Sequence, residues 1–142
     1  MITQTKVLTA NPEMVELFFK RAKKGAAALR TKLGKTWYRR ICTSALMMDS
    51  EFSCVLGQAF KDYADGVLVM MGKAPTGKGM LTTKEHIWAN KHGFVLFEGD
   101  TQLADVDKDI RFATHYDTIY AYGVLGDVWR EVIKAERRKV KK

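Results

Sequence analysis

The sequence predicts a single α+β domain over residues 1–142, mostly helical, with four or five helices and a small sheet of short strands. Three observations lead there. Apolar residues recur at three- and four-residue spacing over residues 15–33, 52–63 and 119–133, the period of helices that bury one face. Short apolar runs at 67–71 and 94–97, with weak alternation over 2–9, read as strands. A chain of 142 residues that is 46% hydrophobic and 28% charged suits one globular core.

The elements follow in order. Asn11, Pro12 and Glu13 form a helix start: a capping side chain, a proline at the first helical position and an acid in the first turn. Val15, Phe18, Phe19, Ala22, Ala26, Leu29 and Leu33 then share one face, and Gly34 supplies the stop. Trp37, Ile41, Ala45 and Met48 suit a second, short helix. Asp49 or Ser50 caps a third, with Phe52, Val55, Leu56, Ala59, Phe60 and Tyr63 on one side, until Asp65-Gly66 ends it. The run 67–71 is either a strand or a continuation of that helix. Residues 73–79 (KAPTGKG) form a polar, glycine-rich loop.

Thr82 and Glu85 make a capping box for a helix through Ile87 and Trp88, closed by Gly93. Residues 98–100 read as a turn after the strand at 94–97, and 101–116 show no dominant period. Tyr116 or Asp117 opens the last helix, in which Ile119, Tyr122, Leu125, Trp129, Val132 and Ile133 are apolar. Gly123 and Gly126 weaken it by about 1 kcal/mol each relative to alanine unless a neighbour packs close. Residues 134–142 carry no apolar stripe and are expected to be a frayed basic tail.

The charge is unevenly placed. The formal net charge is +8, yet residues 20–40 hold nine basic side chains and no acid, with Trp37 and Tyr38 among them. Residues 134–142 hold six more bases against Glu136, while 41–133 hold eight bases and thirteen acids. Two basic islands bracket an acidic middle, a pattern that points to an anionic partner. Two cysteines in no recurring framework fit a reducing cytoplasm. The N-terminus has no signal-peptide pattern, and no apolar run approaches the ~20 residues of a membrane span.

Motifs for specific chemistry fail on inspection. Residues 72–78 fit G-x-x-x-x-G-K, the phosphate-cradling loop, but Gly79 stands where a magnesium-binding hydroxyl is needed. A surface loop is the simpler reading, with Lys73 and Lys78 able to touch an anion. Cys42, Cys54, His86, His92 and His115 lack the short spacing of zinc sites. Asp105, Asp107 and Asp109 imitate a calcium loop, but Ile110 occupies its glycine position. His115, Tyr116 and Asp117 read as a polar helix entrance. Gln58, between Leu56 and Phe60, reads as a core amide bonded to backbone, or as a ligand-recognising group. No nucleophile elbow or catalytic set is visible, so no enzyme activity, metal or cofactor is expected.

One further pattern combines Cys54-Val55-Leu56-Gly57-Gln58, Phe60, Tyr63 and Gly66 with His92-Gly93-Phe94 and a final Trp129, Ile133, Arg137 and Arg138. It resembles a group of small bacteriophage proteins, frequent in phages of actinobacteria, that share a C-V-L-G-Q-x-F core and a terminal W-x-x-x-I-x-x-x-R-R helix. This chain is longer around the 73–79 loop and between Glu98 and His115. The resemblance implies a setting, the cytoplasm of a bacterial host, for an accessory protein of host takeover or anti-defence. Such proteins act by blocking a host enzyme, sequestering a signal or coating nucleic acid.

The expectation is therefore a non-enzymatic protein that binds nucleic acid or a nucleotide signal, with an inhibitor docking on an acidic patch of a host enzyme as the alternative. The expected anion-binding residues are Lys20, Lys23, Lys24, Arg30, Lys32, Lys35, Arg39, Arg40, Arg137 and Arg138. Arginine grips phosphate bidentately, and Trp37 and Tyr38 are candidate stacking partners for a base, although Trp37, in phase with Ile41, reads more simply as a core residue.

Overall fold

The computed structural model of the chain describes residues 12–97, 99–106 and 115–140. Among them are six α-helices: α1 (Pro12–Leu33), α2 (Val55–Ala59), α3 (Tyr63–Met70), α4 (Thr83–Lys91), α5 (Thr101–Val106) and α6 (His115–Val140). Two single 3-10 turns, Trp37–Arg40 and Thr43–Ala45, lie between α1 and α2.

The long helices α1 and α6 form the spine and pack on each other more extensively than any other pair. Phe18, Ala22, Ala26 and Leu29 face inward on α1 as expected, joined by Met14 and Gly25, while Val15, Phe19 and Leu33 of the expected face are only half-buried. Gly25 lies under the Trp129 ring, and Arg30 is ion-paired to Glu136. The two helices therefore run in the same direction. Trp37, Phe94, Leu56, Leu125, Trp129 and Ile133 fill the space around them and are almost wholly buried. Each large apolar side chain so buried contributes about 1.5–3 kcal/mol. Trp88, His92, Phe94, Trp129 and Trp37 follow one another in ring contact across the core, with centroids 4.1 to 6.4 Å apart.

The expected sheet is not there: no strand occurs among the described residues. The run at 67–71 is helical because Asp62 caps α3, its carboxylate accepting the Asp65 N–H at 2.8 Å. That helix runs through Gly66, where a β-carbon would stand 2.9 Å from that of Leu56. The run at 94–97 finds its partners without a neighbouring strand. The Phe94 N–H donates to Ala89 O at 2.9 Å, the Leu96 N–H to the Tyr122 hydroxyl at 3.3 Å, and Val95 O accepts from Asn90 Nδ2 at 3.1 Å. Backbone groups satisfied in this way need no ladder. The expected strand at 2–9 and the Asn11 cap lie outside the described residues.

The middle of the chain also departs from the expected helices. Instead of one helix over 37–48 there are two 3-10 turns, because side chains capture the backbone between them. Gln58 accepts the Cys42 N–H at 2.7 Å and donates to Cys42 O at 3.3 Å. Arg130 donates to Thr43 O at 3.1 Å and Leu46 O at 2.7 Å. The helix expected to start at Asp49 or Ser50 starts at Val55, capped by Cys54, whose sulfur accepts the Gly57 N–H at 3.3 Å. Ser50 instead closes a turn by accepting from Phe52 and Ser53. The Thr82–Glu85 capping box is present as expected, and Gly93 (φ 75°) ends α4 in the left-handed conformation that glycine adopts freely. The tail expected to fray from 134 stays helical to Val140, with Glu136 turned inward to Arg30.

Candidate anion-binding groove

The positive side chains that come together do so where α4 ends against α1. Gly25 and Gly93 make this crossing. A β-carbon on Gly25 would collide with the His92 carbonyl oxygen, and one on Gly93 would lie 2.8 Å from the Ala22 nitrogen. The indole N–H of Trp129 donates to Gly93 O at 2.6 Å and pins the crossing from the core side. With the backbones this close, Lys91 at the end of α4 is set beside Lys20 and Lys24 on α1. These three lysines, with Leu17, Arg21 and Gln102, line an open groove of about 400 Å³.

The groove has a rigid floor. Arg21, 6% exposed, is ion-paired to Asp100, donates to its second oxygen at 3.0 Å, and donates to Gln102 at 3.1 Å. Asn90 Nδ2 adds a hydrogen bond to Asp100 at 3.3 Å, and the Leu103 N–H another at 3.1 Å. Burial pushes the Asp100 carboxyl up, but Arg21 and the Leu103 N–H outweigh it and hold the group below the usual aspartate value. Asp100 stays ionised, and its charge is spent on Arg21. Lys20, Lys24 and Lys91 are exposed and form no ion pair with a described residue. The field of Lys24 reaches His92, whose pKa is lowered first by burial and also by that lysine.

The remaining predicted residues are placed differently. Lys23 stands over the Phe19 ring at 6.0 Å, off the groove. Arg30 is neutralised by Glu136, and Lys139 reaches the same carboxylate at 3.5 Å. Arg40 donates to Ala59 O at 2.9 Å, a structural bond across the 3-10 turn. Lys32, Lys35 and Arg39 are exposed, and Arg137 and Arg138 are exposed at the end of α6. Bases in the last turns of α1 and α6 offset the negative ends of both helix dipoles, which accounts for many of them without a ligand. Trp37 and Tyr38, 1% and 5% exposed, are core residues, so neither presents a ring to an outside base. Their place beside Arg39 and Arg40 in sequence was a misleading signal: the 3-10 turn points both rings into the core and leaves both arginines exposed, Arg40 bonded to Ala59 O.

Lys91 was missed, because in sequence it is an isolated lysine in the acidic middle. Its position after a capped helix and two residues before Gly93 marks it only as a helix-end base. The other candidate chemistry is accounted for locally. Gln58 spends its amide on the backbone of Cys42 and Ser53. His86 Nδ1 meets the Tyr63 hydroxyl at 3.1 Å, and His92 Nδ1 donates to Trp88 O at 2.8 Å. No group of three or more metal-ligating side chains occurs among the described residues. The glycine-rich loop is exposed, and α4 begins at Thr83, not at Lys78. Lys73 is tied to Glu85 at 2.9 Å, and the Gly77 N–H donates to Asp65 at 3.1 Å. Residues 107 and 109, and the side chains at 115–117, lie outside the described residues. No described helix is long and apolar enough to cross a membrane.

No protein-family model, curated protein or solved structure matches this chain.

Proposed function

We propose that this chain is a non-enzymatic binding protein whose groove at Lys20, Lys24 and Lys91 holds an anionic partner, a nucleic acid or a nucleotide. The observation that carries this reading is the convergence of three lysines from two helices, none of them ion-paired to a described residue. Like charges four residues apart on a helix cost about 0.2–0.5 kcal/mol, and adding a third from another helix raises that cost. Asp100, beneath the groove, is committed to Arg21, and Glu16, one turn before Lys20 on α1, forms no ion pair with a described residue. A groove that keeps uncompensated charge on a rigid floor is prepared for an anion. In the setting implied by the phage resemblance, the protein acts as an accessory factor in the cytoplasm of a bacterial host.

The test compares the native chain with the triple variant Lys20→Glu, Lys24→Glu, Lys91→Glu. Ligands are inorganic triphosphate, ATP and a DNA duplex, read by thermal shift and fluorescence anisotropy. Binding of at least one ligand by the native chain, lost in the folded variant, supports the proposal. If native and triple variant bind all of them equally, the groove is not the site. Arg30 is left unaltered because its pairing with Glu136 holds α1 to α6.

A further inference from the structure

The groove continues into a longer positive strip, and its shape selects among anions. At 100° per residue, Lys20, Lys24, Ala28, Thr31 and Lys32 fall within about 120° of one another on α1, on the side that carries the groove. Ala28 and Thr31 are short, and Thr31 turns its hydroxyl back to Ala27 O at 3.0 Å. On α1 itself only Ala28, half-buried, and Thr31, exposed, occupy this face between the two clusters of lysine. Lys35 follows just past the helix end, exposed and without an ion pair to a described residue. No acidic residue interrupts the chain between Glu16 and Arg40. From Lys20 to Lys32 the helix rises about 18 Å.

We infer that the partner is a nucleic-acid duplex, gripped along its phosphate backbone without reading its bases. This rests on the anion-binding reading of the groove. The geometry favours it in three ways. A strip of about 18 Å is long enough to meet several phosphates of a duplex, whereas a mononucleotide would occupy only one end. The strip carries no aromatic side chain, and Trp37 and Tyr38 are buried, so it lacks the stacking platform that single-strand binders use. Between the lysines at either end α1 carries only the short side chains Ala28 and Thr31, so the helix itself raises no long side chain against a rod-shaped partner. Lysine ammonium groups, unlike a bidentate arginine fork, act as point charges on phosphate and carry no base information.

The experiment measures anisotropy of a labelled duplex of scrambled sequence, the matching single strand, ATP and poly-glutamate, across a salt series. Five lysines (Lys20, Lys24, Lys32, Lys35 and Lys91) predict a log–log salt slope of about −4.5. That is about a 500-fold loss of duplex affinity between about 50 and about 200 mM salt. Affinity should not change with duplex sequence. The variant Lys32→Glu, Lys35→Glu, remote from the groove, should weaken duplex binding and bring the slope to about −3, while ATP or triphosphate binding stays as it was. Lys61→Glu, an exposed lysine away from the strip, controls for net charge. Tighter binding of ATP, single strand or poly-glutamate than of duplex overturns the duplex inference and leaves the groove standing. Duplex binding that ignores Lys32→Glu, Lys35→Glu also overturns it. Failure of every ligand to bind the folded native chain removes both.

Discussion

The carbonyl of His92 lies directly over Gly25, at the place a β-carbon would occupy. Two glycines, Gly25 on α1 and Gly93 after α4, let the backbones of these segments touch, and the groove exists because they do.

Gly25→Ala is therefore expected to destabilise the fold by about 1–3 kcal/mol or more, since the obstructing atom is backbone and cannot rotate away. Gly126→Ala is the contrast. Its β-carbon would meet only Arg130 at 3.5 Å and Met48 at 3.7 Å, ordinary contacts, and should stabilise α6 by about 0.5–1 kcal/mol. Urea denaturation of the two variants checks both signs.

Asp100→Asn should be among the costliest polar substitutions. Arg21 and Asp100 side chains are 7% and 3% exposed, so the change strands a buried guanidinium. Removing one partner of such a pair costs about 3–5 kcal/mol. The double variant Arg21→Met, Asp100→Leu should recover much of that loss, because no uncompensated charge remains. Equal stability of the single and double variants would show that the ion pair is not what the fold depends on.

Acid should loosen the glycine-rich loop. Glu85 is held down to about 2, first by its hydrogen bond from Lys73 and then by the Thr82 N–H. Its folded pKa is thus below the ordinary 4.5, so its contribution is complete above about 4.5 and is lost as pH falls through about 2. Melting temperature followed across that interval should drop. In Glu85→Gln the drop should be smaller.

The two thiols should react very differently. Cys42 is exposed, and a hydrogen bond from Ser44, with backbone N–H groups and Arg137 nearby, lowers its pKa. Cys54 is 1% exposed, and burial raises its pKa. Mass spectrometry after iodoacetamide treatment of the native chain should find one adduct, on Cys42. A second should follow only on unfolding. Cys54→Ala should cost about 0.5–2 kcal/mol as a lost helix cap.

Much of the helical framework could be read from residues alone. The centre of the buried face of α1, the Thr82–Glu85 box, the Gly34 and Gly93 stops and the α6 positions Leu125, Trp129, Val132 and Ile133 each follow from residues a few positions apart. Ile119 of the expected α6 stripe, by contrast, stays exposed. The sheet was misjudged for two different reasons. Four or five apolar residues at 67–71 and 94–97 have no period of their own. The first run follows from Asp62, a cap three residues from the N–H it accepts and thus a local signal that was overlooked. The second was decided by Asn90 and by Tyr122 from 26 residues away. The same holds for the helix expected over 37–48, undone by Gln58 and by Arg130 from the far end of the chain.

By itself, the sequence determined the amphipathic helices and the unopposed positive charge of residues 20–40, since periodicity and charge are properties of neighbours along the chain. Only the tertiary structure decided which of those charges remain available. Arg21 and Arg30 were claimed by acids 79 and 106 residues away, Trp37 and Tyr38 were drawn into the core, and Lys91 was brought in by a glycine-to-backbone crossing. Charge pairing acts through space over a few ångströms, and the fold alone determines which residues lie that close.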